Sequence, residues 1–175
     1  MTPSDPPPPD LTHLDDRGHA RMVDVGAKDV TNRRALAEGW IRMSQKGFDA
    51  IMEGSAPKGD VLAVARIGGI MGGKRAGELI PLCHLLPEAS LKLDLSPAPE
   101  LPGVRARATA TITGKTGVEM EALTAVSLAL LTVHDMIKAV DPATEIGGVR
   151  LLEKEGGRSG RFSRSDPPAG EPTST

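Results

Sequence analysis

Apolar positions recur along the chain with two periods, and Gly and Pro mark the changes between them. Arg21-Met22-Val23-Asp24-Val25 alternates polar and apolar side chains, as a half-buried strand does. Residues 31–43 fit two templates: the alanines favour helix, while Ala35, Ala37, Gly39, Ile41 and Met43 fall on one strand face. Ser44 is suited to cap a short helix ending at Glu53-Gly54. Asp60 stands before 61–67, a stretch apolar on nearly all sides and therefore predicted to be a buried helix. Residues 91–95 (Leu-Lys-Leu-Asp-Leu) and 104–113 alternate again. With a turn over 97–103 they predict an antiparallel pair.

The longest element is predicted over 117–140. Leu123, Val126, Leu130, Val133, Ile137 and Val140 step by three and four, laying one apolar stripe along a helix against the sheet. Asp141-Pro142 stops it, and 146–152 returns as a strand. Strands alternating with helices packed on one face of an antiparallel sheet give an α+β fold. Residues 1–10 hold five prolines, and 156–175 are rich in Gly, Ser and Pro; both read as flexible tails around one domain over 11–155. No internal repeat is evident.

Composition narrows the function. With 21 basic and 23 acidic residues among 175, the net charge of −2 gives no electrostatic reason to expect nucleic acid or an anionic membrane. Only Trp40, Phe48 and Phe162 are aromatic, too few for base-stacking platforms. The single Cys83 excludes an internal disulfide and any multi-cysteine metal site. No signal segment and no run of membrane-spanning length are visible, so a cytoplasmic protein is expected.

Two glycine motifs imitate phosphate loops. Residues 68–75 (GGIMGGKR) end in Arg75 where a magnesium-binding hydroxyl belongs, and they follow a helix rather than a strand. Small residues that let a helix approach its neighbour explain them better, though Lys74 and Arg75 remain a cation pair. Thr113-Gly114-Lys115-Thr116-Gly117 lacks the first glycine. Either it is an anion-binding turn at a helix start, or Thr116 simply caps that helix.

Other ionisable residues cluster. Glu119 and Glu121 occupy the first turn of the long helix, where carboxylates stabilise any helix, yet they also suit acid–base work. Cys83 and His84 adjoin in an apolar loop, where His84 as a substrate contact is favoured over Cys83 as a nucleophile. Asp135 and Lys138 are spaced i, i+3, an ordinary surface pair, and Lys58 precedes a helix start. No metal-ligand set stands out, and no cofactor is expected. Glu121 and Asp135 are separated by about 21 Å on an unbroken helix. If both clusters are catalytic, a site must join the head of one helix to the tail of another chain's. Lys58→Ala and Asp135→Asn subunits would then complement each other, provided those two groups enter the site from different chains.

The motifs LIPLCH (79–84), TGKTGVEMEAL (113–123), DMIKAV (135–140) and IGGVRLLEKEGGRSG (146–160) resemble those of the cyclic pyranopterin monophosphate synthase family, of molybdenum cofactor biosynthesis. ARMVDV (20–25) and KGDVLAVARIGGI (58–70) are similar in the same order. The resemblance implies a ferredoxin-like subunit in a homohexamer, a trimer of dimers with interface sites, and strand over most of 31–43. It implies a lyase that converts 3′,8-cyclo-7,8-dihydroguanosine 5′-triphosphate to cyclic pyranopterin monophosphate and pyrophosphate. The catalytic residues it implies are Lys58, His84, Glu119, Glu121, Asp135 and Lys138. Leu82, Cys83, His84, Met120 and Glu121 would contact substrate, and Arg33, Lys74, Arg75 and Lys115 are cations for its phosphates. Leu85 stands where that family commonly has proline, Gly72-Gly73 replace alanines, His134 replaces an aromatic residue and Gly148 a proline. The rival readings are a non-catalytic nucleotide-binding module and a purely structural assembly protein.

Overall fold

The computed structural model describes residues 28–157 and 160–165, together with His19, Val25 and Gly26. The strand expected at 21–25 lies, Val25 apart, outside the described residues, as do the tail over 1–10 and the stretch 166–175. Among the described residues, five strands and four helices follow in order: β1 (Thr31–Arg42), α1 (Gln45–Met52), α2 (Val61–Lys74), α3 (Ala76–Leu79), β2 (Ser90–Ala98), β3 (Gly103–Gly114), α4 (Glu119–Ile137), β4 (Glu145–Glu155) and β5 (Phe162–Ser163). They form one antiparallel sheet in the order β2-β3-β1-β4-β5.

Strand wins over helix in β1 because of its neighbours. Ala35, Ala37, Gly39 and Ile41 register against Ala110, Ala108, Ala106 and Val104 of β3, and the buried row continues through Leu93 and Leu95 of β2. Small side chains on the inner face let α4 lie close over the sheet, where Val126, Leu130, Val133 and Ile137 are buried as the periodicity predicts. Long-range packing overrides the modest helix preference of alanine. The opposite face holds an ion cluster the sequence reading did not anticipate. Buried Glu38 accepts from Arg107 at 3.2 Å and from the Arg150 fork at 2.9 and 3.0 Å.

Both predicted caps form: Gly47 N donates to Ser44 Oγ at 3.2 Å, and Ala63 N to Asp60 Oδ1 at 2.9 Å. The glycines of α2 do what small residues allow. A Cβ at Gly69 would meet the Ala125 carbonyl oxygen at 2.7 Å, and one at Gly73 the Glu121 carbonyl oxygen at 2.7 Å, so α2 and α4 touch backbone to backbone.

Other expectations need correction. Helix α2 is not buried all round: Val64, Ile67 and Met71 lie exposed, because among the described residues the covering layer lies on its α4 and β2 side. Strand β2 runs through Pro97 to Ala98, which a sheet edge tolerates because alternate N–H groups of an edge strand face away from the ladder. Thr116 does not cap the long helix; Val118 takes that place without a side-chain hydrogen bond. Phe162 and Ser163, expected in a tail, pair with Lys154 and Glu153. Helix α4 is long and apolar enough, by length and composition, to cross a membrane, where no such run was expected. Packed between α2 and the sheet, it is the core helix of the domain.

Candidate active site

The C-terminal end of α4 carries Asp135 and Lys138, and the loop before α2 brings Lys58 onto them. Asp135 Oδ2 accepts from Lys58 Nζ at 2.5 Å and Oδ1 from Lys138 Nζ at 2.8 Å. Lys138 and then Lys58 hold this carboxyl well below its ordinary range, at about 2. It is therefore ionised at neutral pH, an acceptor between two ammonium donors. Lys58 and Asp135 meet within one chain, which corrects the expectation that they reach a site from different chains. Asp141 anchors this end of the molecule, accepting from Ser44 N at 2.6 Å and from Ala143 N at 3.0 Å, contacts that lower its pKa.

At the other end of α4 the loop over 80–86 and the turn before the helix enclose a cavity of about 440 Å³. Leu82, Cys83, His84, Glu119 and Met120 line it, with Lys28, Ile80, Thr116 and Gly117. Cys83 Sγ approaches the His84 carbonyl at 3.6 Å. Burial, then the negative charges of Glu121 and Glu119, push its thiol up, so it stays protonated and suits contact rather than attack. Glu121 is buried behind this wall, and its Oε2 has no hydrogen-bond partner among the described residues. Burial foremost, with Glu119 adding, raises its pKa.

A second cavity, of about 360 Å³, lies against the first and shares Lys28, Thr116, Gly117 and Glu119 with it. Lys28, Arg33, Arg34, Lys115 and Lys154 supply five cations there against two carboxylates, Glu119 and Glu155. Lys154 Nζ stands 3.2 Å from Glu119 Oε1. The Glu119 carboxylate folds back over Gly117, occupying the space a Cβ there would need. Arg33 spends two donors on the turn, bonding the Gly114 carbonyl at 3.0 Å and the Lys115 carbonyl at 3.1 Å; Lys115 in turn donates to Gly26 O.

The structure thus brings Leu82, Cys83, His84, Met120, Glu119 and Glu121 to one end of α4, with Arg33 and Lys115 beside them, and Lys58, Asp135 and Lys138 to the other. Lys74 and Arg75 join neither cavity: Lys74 donates to the Pro87 carbonyl at 3.3 Å and to Ala89 O, and Arg75 stands 3.9 Å from Glu78. Lys28, Arg34 and Lys154 escaped the sequence reading. Lys154 sits in a quoted motif, but only the β1–β4 pairing and the ion pair with Glu119 disclose its place. Among the described residues, no three His, Cys, Asp or Glu converge as a metal-ligand group.

An apolar cavity opening onto a cationic one, with titratable groups at both ends of the core helix, is the equipment of an enzyme for a small anionic molecule. The MoaC family model matches residues 22–157, and the chain belongs to that family. It is 57% identical over 155 residues to the cyclic pyranopterin monophosphate synthase of Cereibacter sphaeroides, covering 89% of this chain and 98% of that protein. The synthase of the same name from Brucella ovis is 54% identical over 157 residues, covering 90% and 95%.

Proposed function

We propose that this enzyme of molybdenum cofactor biosynthesis converts 3′,8-cyclo-7,8-dihydroguanosine 5′-triphosphate to cyclic pyranopterin monophosphate and pyrophosphate. The observation that carries the reading is the wall shared by the two cavities. An apolar compartment suits a purine-derived ring, and a compartment of five cations suits a triphosphate, with Glu119 standing between them. Opening and reclosing the ring needs proton transfers, and His84, Glu119 and Glu121 stand where the ring would lie or directly behind it. Lys58 and Lys138 would donate protons and Asp135, ionised, would accept and orient. Lys28, Lys115 and Lys154 would hold phosphate oxygens and stabilise the leaving pyrophosphate.

The order of one strand, three helices, two strands, a helix and a strand, with the sheet order β2-β3-β1-β4 and β5 appended, supports a ferredoxin-like subunit. Since α4 keeps its two clusters about 21 Å apart, we read the complete site as shared between neighbours in a homohexamer, a trimer of dimers. The exposed stripe Val64, Ile67 and Met71 offers that assembly an apolar face. We place the enzyme in the cytoplasm. Purified protein incubated with the cyclic triphosphate should release pyrophosphate in step with appearance of the pyranopterin product by mass spectrometry. Tight binding without consumption would favour the nucleotide-binding module instead.

A further inference from the structure

We infer that Lys74, with Gly77, positions the loop that carries Leu82, Cys83 and His84, and is not a phosphate ligand; this rests on the function proposed above. The loop joins α3 to β2, and its backbone is strained at the cavity wall. Leu82 sits at φ 61°, in the left-handed region that a leucine rarely adopts. Such a conformation persists where surrounding structure imposes it. Inside the loop there are two backbone bonds, Cys83 N to Ile80 O at 3.2 Å and Ala89 N to Leu86 O at 3.1 Å.

The braces come from the end of α2 and from α3. The Lys74 ammonium reaches across and donates to Pro87 O and Ala89 O, gripping the far end of the loop. Gly77 receives the near end: a Cβ there would stand 2.8 Å from the His84 carbonyl oxygen and 2.9 Å from Leu85 Cα. Both contacts fall on backbone, which cannot swing aside as a side-chain tip can. The loop is thus gripped at two places beyond the strained residue, at residues 84–85 and at 87 and 89, and His84 is aimed by the grip.

Because Cys83 is the sole cysteine of the chain, its alkylation rate reports the loop directly. In Lys74→Met and in Gly77→Ala, iodoacetamide should label Cys83 at least tenfold faster than in wild type, while Lys46→Met labels at the wild-type rate. In turnover, kcat should fall at least tenfold in both variants, with pyrophosphate affinity by calorimetry unchanged within twofold. Wild-type labelling in either variant overturns the inference. So does a tenfold loss of pyrophosphate affinity in Lys74→Met, the mark of a phosphate ligand. If wild-type protein neither turns over the cyclic triphosphate nor binds pyrophosphate, the proposed function fails, and the labelling rates still decide the loop.

Discussion

Glu121 and Asp135 are both carboxylates on α4, and their surroundings drive them in opposite directions. Glu121 is buried with an oxygen unsatisfied, so the folded chain holds its proton above the ordinary value of 4.5. Folding then costs progressively more as pH rises beyond 4.5, because the unfolded chain ionises first. Glu121→Gln removes that cost. Its Tm should exceed wild type at neutral and alkaline pH, by about 2–4 °C for each kcal/mol recovered, and match wild type below pH 4.5. A constant offset across the range would deny the buried carboxyl this role. Asp135 behaves inversely. Its contribution to stability is present above its ordinary 3.8 and is lost as pH falls towards about 2. Its carboxyl carbon, followed by NMR, should titrate near that lower value, and Lys138→Met should move the midpoint back towards 3.8; an unmoved midpoint would remove Lys138 as the cause.

Among the elements, α2 shows best what a sequence can and cannot disclose. Its glycines look like a defect, since an exposed Gly costs a helix about 1 kcal/mol relative to Ala. Here Gly73 lies against the Glu121 carbonyl and Leu91, and a methyl group would force α2 and α4 apart. Gly73→Ala should therefore destabilise by about 1–3 kcal/mol in denaturant titration, whereas a gain in stability would show that the helices are not in contact. The caps at Ser44 and Asp60, the β2–β3 pair and the stripe of α4 were legible because each is local: a side chain bonding three residues on, or a period of two or 3.6. What escaped was set by distant partners. Alternation in β1 decided nothing until β3 lay beside it. Exposure of Val64 and Ile67 depends on what covers α2, and the Glu38 cluster joins three strands. The residues that line the cavities or meet at the tail of α4 could be named from their motifs, but their grouping could not. Nothing in the sequence says that Lys58 folds onto Asp135, or that Lys74 turns to carbonyls instead of the cationic cavity.

For the whole molecule, the decisive fact is that α4 is a single unbroken helix of 19 residues. Its head carries Glu119, Glu121 and the cavity wall, and its tail carries Asp135 and Lys138, with Lys58 clasped to that same tail. The groups at the two ends cannot converge on one small substrate within a chain, so in the proposed function each substrate is served by the head of one helix and the tail of a neighbour's. Lys58 and Asp135 belong to the same end. Subunits impaired at those two positions therefore should not rescue each other, whereas subunits impaired at opposite ends should. The most direct test mixes His84→Ala subunits with Asp135→Asn subunits, dissociates and reassembles them, and measures pyrophosphate release from the mixed oligomers. Random reassembly of equal amounts restores roughly a quarter of the wild-type sites, so activity should rise from near zero towards that fraction, while a Lys58→Ala and Asp135→Asn mixture stays inactive. No recovery in verified mixed oligomers of the first pair would contradict a site shared between chains.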